Sequence, residues 1–290
     1  MKRCLLLAAG FLMAAPAAYA QGFSDNELSY RIEPYATDPG DSDSAQPHGK
    51  VFTKNIVNFT HVDGGAIISN FLSMDVLKSN RDDPTNNISS GGNPEGATEF
   101  YGLYRGDVSS SFLTGGSTVS FGPVRDVTLS FGGDLETENN TFAPAKKDIV
   151  IGPNFHFDTA GFFNVATYFY KEWNHNGITN TNPSFSPTVQ FAFVYMQPIP
   201  IAGLPLRLEG FTNLTAPKGK DGFEHKTTWE LLTKIQATLD VGDLIGYKPR
   251  VLDAFVGFKY WWNKFGNNHV KYGNVADIET TPYFGVGVHF

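Results

Sequence analysis

Charged, carboxamide and aromatic side chains recur at every second position in several segments of this 290-residue chain. Tyr170, Glu172 and Asn174 form one such row, Arg207, Glu209 and Asn213 a second, and Lys259 and Trp261 a third. Glu27 with Arg31, Asn58 with Thr60, Ser73 with Asp75, Glu99 with Arg105, Asn154 with His156, and Glu230 with Lys234 repeat the pattern. A spacing that is a multiple of two puts the members of each set on one face of a strand. If those faces line an enclosed space, it carries both charge signs and is no plain anion or cation filter. Carboxylates, guanidinium groups and carboxamides would then hydrogen-bond a passing solute while the rings stack against it. The same residues could instead brace a narrow interior as structural ion pairs, and both readings stay open for each of them.

Other chemistries are poorly served. A serine nucleophile on a barrel wall needs a histidine on the same strand face, as H-x-S, and no histidine is followed by serine at that spacing. No H-E-x-x-H occurs, and no metal site or cofactor is expected. Lys218-Gly219-Lys220-Asp221-Gly222 lacks the upstream glycine of a phosphate loop and reads as a solvated extracellular turn. Glu172, Asn174 and His175 stand where a strand meets its loop, as a mouth constriction or as a segment fixed by Asn and Gly turn chemistry.

The elements that must position these rows follow from composition and pattern. Hydrophobic residues make up 41%, aromatics 14% and charged residues only 18%, which argues against a disordered chain or a coiled coil. With 22 Lys+Arg against 29 Asp+Glu there is no basic footprint for nucleic acid. Lys2 and Arg3, the apolar run Leu5 to Ala15 and Ala18-Tyr19-Ala20 make residues 1–20 a signal peptide, with residues 21–290 as the mature domain. Cleavage removes the chain's single cysteine, Cys4, and leaves 20 Lys+Arg against 29 Asp+Glu. Export with neither disulfide nor lipidated cysteine requires stability from a core or a closed sheet.

Beyond Ala20 no run of about 18 apolar residues occurs. Alternation bounded by Gly, Pro, Asn and Asp predicts strands over 27–35, 53–62, 67–77, 98–107, 121–132, 148–157, 162–172, 187–197, 205–214, 229–239, 253–263 and 281–290. Connections alternate between short and long, apart from Val108 to Ser120 and Asp240 to Leu252, which are too long for the rule. Even strand number, one-sided long loops and an apolar row opposite a polar row predict a transmembrane antiparallel up-and-down β-barrel; a secreted β-sandwich is the competing fold. Phe100, Tyr101, Tyr168, Phe169, Tyr170, Trp173, Tyr260, Trp261, Trp262 and Tyr283 cluster near strand ends and suit interfacial girdles. Twelve strands tilted by ~40° close at a backbone diameter of ~24 Å, leaving a passage of roughly 10 Å or less.

The terminal Tyr283-Phe284-Gly285-Val286-Gly287-Val288-His289-Phe290 resembles the ending of Gram-negative outer-membrane proteins, whose last strand carries a C-terminal aromatic read by the barrel-assembly machinery. Asn55 to Val62, Phe121 to Val127, Leu208 to Asn213 and Pro217 to Phe223 resemble the nucleoside-specific channel-forming (Tsx-like) family, and most specifically so do Tyr170-Lys171-Glu172-Trp173-Asn174-His175-Asn176-Gly177 and Tyr260-Trp261-Trp262-Asn263-Lys264-Phe265-Gly266. Ser24 to Tyr35 departs from that family's aromatic-rich start. The resemblance implies a twelve-stranded barrel in the outer membrane, in contact with lipid and lipopolysaccharide, passing nucleosides passively. Period-2 parity then puts Arg31, Asp75, Glu99, Arg105, Tyr170, Glu172, Asn174, Arg207, Glu209, Asn213, Lys234, Lys259 and Trp261 in the solute-binding lining of such a barrel. A general small-solute porin of the same fold, a barrel hydrolase and an adhesin are the alternatives. Replacing Glu172 or Arg207 by Ala is expected to change selectivity more than stability.

Overall fold

A computed structural model describes residues 22–39, 51–83, 96–139, 143–177, 179–201, 203–272 and 277–290. The signal peptide, its cleavage site and Cys4 lie outside the described residues. Twelve antiparallel strands close into one barrel, each paired with its sequence neighbours and β1 with β12. They are β1 (Phe23–Ala36), β2 (Phe52–Gly64), β3 (Ile68–Ser79), β4 (Thr98–Val108), β5 (Val124–Glu138), β6 (Ala145–Phe157), β7 (Phe162–His175), β8 (Thr188–Ile199), β9 (Leu206–Thr215), β10 (Glu230–Asp240), β11 (Leu252–Trp262) and β12 (Ile278–His289).

The alternation that makes these segments strands also orients them. Val57, Val76, Leu135, Ile149, Ile151, Phe169, Val256, Phe284, Val286 and Val288 point outward and are exposed, whereas the charged residues of the opposite parity are buried inside. A water-soluble barrel or sandwich would reverse that arrangement. An apolar exterior around a charged interior is the arrangement of a barrel that spans a membrane. No described helix is long and apolar enough to cross one.

Two irregularities in the ladder fall at prolines, which have no N–H to donate. The β1–β2 register shifts between Glu33 and Ala36, around Pro34. The β6–β7 pairing skips Gly152 and Pro153.

Each predicted strand is present, with corrections at the ends. β5 begins at Val124, because Gly122 adopts φ 50° and turns the chain at Pro123, and runs on to Glu138. Alternation persists there, with Leu135 outward and Asp134, Glu136 and Glu138 inward, so the following loop is shorter than the predicted Leu135 to Lys147. The two connections that broke the length rule each hold a capped helical turn. In α1 (Ser110–Thr114) the Ser109 side chain accepts from the Phe112 N–H; in α2 (Val241–Leu244) Asp240 accepts from the Asp243 N–H.

The girdle assignment needs a larger correction. Tyr101, Tyr168, Tyr170, Trp261 and Tyr283 share the parity of the buried charged rows and point into the barrel. Their hydroxyl and indole groups find partners there, Tyr101 on Asp134 at 2.7 Å and Trp261 on Glu230 at 2.9 Å. Phe100, Trp173, Tyr260 and Trp262 do lie outward near the long-loop end, with Phe169 deeper along β7.

Candidate functional site

The inward faces predicted from parity all point inward, and most of the charges on them are paired. Glu33 of β1 is the hub of the largest cluster. Arg31 Nε lies 3.2 Å from it, Lys234 of β10 lies 3.6 Å away, and Lys259 of β11 donates to its other oxygen. Lys259 also meets Glu279 at 2.6 Å. Arg31 reaches Asp75 of β3 at 2.6 Å, and Asn58 of β2 donates to the same carboxylate at 2.6 Å. Since β11 and β12 stand between β10 and β1 in the wall, the Lys234–Glu33 approach crosses the interior as a chord. Glu33 is fully buried, so it depends on these cations for its charge.

The long-loop end is held by lysines that come largely from outside the predicted rows. Lys54 bonds Glu99 at 2.9 Å and lies 3.5 Å from Asp38. Lys264, in a 3₁₀ turn after β11, bonds Glu279 at 2.7 Å, the Thr37 carbonyl at 2.8 Å, and Asp38. Burial alone would raise the Asp38 pKa, but Lys264 and Lys54 hold it below the usual carboxylate value. Desolvation opposes the charge on Lys264, and Asp38 and Glu279 outweigh it, so its pKa rises.

Lys218 corrects the expectation of a solvated turn. Lys220 is exposed and pairs with Glu224, but Lys218 enters the barrel and is buried. Its Nζ lies 2.6 Å from Glu172 and 3.5 Å from Glu230, with the Phe185 ring centroid at 4.8 Å. Tyr170 donates to Glu172 and, at 3.2 Å, to Asp148; Asn174 donates to Glu172 at 2.8 Å. Four predicted lining residues, Tyr170, Glu172, Asn174 and Trp261, are thus gathered around one loop lysine and Glu230.

Elsewhere, Arg105 bonds Asp134 at 2.6 Å and lies over the Tyr168 ring. Toward the short-turn end Arg207 bonds Glu209 at 3.0 Å and also Asp253. Glu209 accepts from Gln236 at 2.8 Å and Thr238 at 2.6 Å. Asn213 stands apart from these groups, paired across the sheet with Ala192 and Leu232; the adjacent row is Val194, Phe211 and Lys234. This uncharged arc on β8 and β9 faces inward, and Val194 is 40% exposed there.

Residues that sequence reasoning missed divide by cause. Glu33 shares the parity of Arg31, and the same alternation could have found it. Asp134 lies beyond the predicted end of β5, and Asp148 stands at the edge of the predicted β6. Lys218 and Lys264 come from loops, where no periodicity exists to read.

No family model matches the chain, and no curated protein matches it. Among solved structures it is similar to the translocator domain of the autotransporter NalP from Neisseria meningitidis, with 9% identity and a TM-score of 0.42 over 94% of this chain and 90% of that one. The β domain of the Bordetella autotransporter BrkA gives 6% and 0.39 over 93% and 98%, and a bacterial polysaccharide outer-membrane secretin gives 9% and 0.41 over 92% and 97%. At such values no function passes from those proteins to this chain.

Proposed function

We propose that the protein is an outer-membrane channel for passive, partly selective diffusion of small polar solutes, with nucleosides as the favoured class. The observation that carries this reading is the partition of side chains across a closed wall, apolar outside and charged, carboxamide and aromatic inside. Passive diffusion calls for weak, exchangeable contacts, since a solute held tightly would not leave. The ion-paired half of the interior supplies hydrogen-bonding edges. Val194 and Phe211 supply an apolar face beside Lys234 and the Asn213 carboxamide, which suits a solute with a flat ring and a polar edge. Lipid and lipopolysaccharide surround the apolar band on this reading, and the strand ending at Phe290 is the segment offered to the assembly machinery.

Liposome swelling tests it. Proteoliposomes should swell faster in adenosine and thymidine than in sugars of similar mass. Equal rates for all solutes would remove the nucleoside preference and leave a general small-solute channel. Swelling no faster than in protein-free liposomes would remove the channel.

A further inference from the structure

At the long-loop end Phe100, Trp173, Tyr260 and Trp262 face outward and mark a membrane boundary. At the short-turn end the strands supply aromatic residues unevenly. There β6 and β7 meet in Phe157 and Phe163, whose ring centroids are 5.2 Å apart on the outer face, and the turn between them, Asp158 to Gly161, is short. Near the ends of β4, β5, β10 and β11 the outward apolar residues are Val108, Val127, Leu239 and Leu252, none of them aromatic. These are the two places where the connection is long and holds a capped helical turn.

We propose that α1 and α2 are a pair of membrane anchors, seated in the phospholipid leaflet that the short turns face, and that they complete the boundary on those two sides. The proposal stands on the membrane-spanning barrel and is independent of what passes through it. In both turns a small buried residue is followed, two and three positions on, by large apolar ones: Ser110 by Phe112 and Leu113, and Gly242 by Leu244 and Ile245. Phe112 and Leu113 are 57% and 53% exposed, and Ile245 and Tyr247 are 67% and 72% exposed. Ser110 donates to the inward-facing Asp126, so Phe112, about 200° further round the turn, is directed away from the barrel axis. Gly242 packs against the Lys248 carbonyl so closely that a Cβ would clash with it, which leaves Leu244 and Ile245 on the free face. α1 lies between β4 and β5 and α2 between β10 and β11, six strands apart in a ring of twelve and therefore on opposite sides of the barrel. A lone exposed apolar residue needs no explanation, but paired sets at the edge of an apolar band mark a contact surface.

Charge fits the same occupant. Lys248 and Arg250 follow α2, and Arg125 follows the α1 connection; all three are exposed, against one exposed carboxylate in these two connections, Asp243. Apolar tips flanked by a tyrosine and by cations suit a bilayer interface, with the tips among acyl chains and the cations level with anionic headgroups. The caps hold the anchors in place. Ser109 accepts from the Phe112 N–H, and Asp240 accepts from the N–H groups of both Asp243 and Arg250, at 2.9 and 2.7 Å.

Site-directed fluorescence tests the anchors. In a Cys4→Ser background, Phe112→Cys and Ile245→Cys each carry a polarity-sensitive label, with Ala160→Cys in the β6–β7 turn as the reference. The labelled proteins are inserted into vesicles of phosphatidylethanolamine and phosphatidylglycerol. A nitroxide placed high on the acyl chain should quench both anchor labels several-fold more than the reference. Iodide on both sides of the membrane should quench them several-fold less. Iodide quenching equal to the reference at either anchor overturns the proposal, since that turn then faces water. Protection from both quenchers also overturns it, and cysteine cross-linking between copies would then assign the surface to a second molecule of this chain. Swelling rates are read separately, so loss of the channel reading leaves the anchors standing. If a labelled variant lacks the heat-modifiable band, Leu113→Cys or Tyr247→Cys takes its place.

Discussion

Arg31 and Asp75 meet at 2.6 Å although β2 lies between their strands, so the guanidinium spans a neighbour to reach its carboxylate. Both are nine-tenths buried or more. Replacing Arg31 by Ala leaves Asp75 with only Asn58 as a strong donor, and Glu33 with one cation fewer. The expected cost is about 3–5 kcal/mol, as for other broken buried pairs. Arg31→Met with Asp75→Leu removes both charges and should cost far less. Urea unfolding in detergent, followed by loss of the heat-modifiable band, measures both variants.

Glu172→Ala and Arg207→Ala should now separate. Glu172 is 1% exposed and takes bonds from Lys218, Tyr170 and Asn174, so its loss leaves Lys218 without its nearer partner. Stability should fall by about 3 kcal/mol, so for Glu172 a loss of stability is expected beside any change in selectivity. Arg207 has a side chain 21% exposed beside the more open end. Its replacement should shift solute preference in swelling assays; Asp253 keeps His289 at 2.9 Å, so the stability loss should stay below the roughly 3 kcal/mol expected for Glu172→Ala.

Acid should act on the loop that holds residues 263–272 in two windows of opposite sign, through Asp38 and Asp277. Asp38 has its pKa lowered in the fold, so its contribution is present above the ordinary value of 3.8 and is lost as pH falls through the lower folded value. Asp277 is raised to about 6 by burial, with Asn267 and Lys264 acting the other way. Its contribution is complete below 3.8 and is lost as pH rises through about 6. Protection of the loop against limited proteolysis should therefore be greatest near pH 4–5, weaker at pH 7 and collapsed in stronger acid. In Asp277→Asn the difference between pH 5 and pH 7 should vanish.

Gly257 should not tolerate a larger residue. An added Cβ would lie 2.3 Å from the Tyr283 ring, which packs on the bare backbone of β11 and donates to Gln236 at 3.1 Å. Gly257→Val must displace that ring or bend the strand, at a cost of about 1–3 kcal/mol. Tyr283→Ala in the same background should recover part of it. Thermal scans of the single and double variants give the comparison.

Strand number, order and facing were legible because a membrane barrel writes its inside and outside into alternate residues. Lys259 and Trp261 could be placed inward with no other information, and so could Arg207 and Glu209. The same rule corrects the aromatic residues: Tyr170 and Tyr283 share parity with charged neighbours, and nearness to a strand end does not override parity. Pairing was not legible. Nothing local in Arg31 names Asp75 as its partner, because the match depends on the register of β1 against β2 and of β2 against β3. Lys218 looked solvated because its neighbours are Gly, Lys and Asp; its burial is decided by Glu172, 46 positions earlier.

Closure by β1 against β12 has a consequence for synthesis. Glu27 faces His289 across that seam, and His289 bridges Asp25 and Asp253 at 2.9 Å each. Once β1 has paired with β2, its other edge must wait, with backbone donors and acceptors unmatched, until β12 arrives. For that interval it is an adhesive border open to any other extended chain. A periplasmic escort that covers β1 should therefore limit misassembly more than one that covers a middle strand, whose partners follow within a few tens of residues.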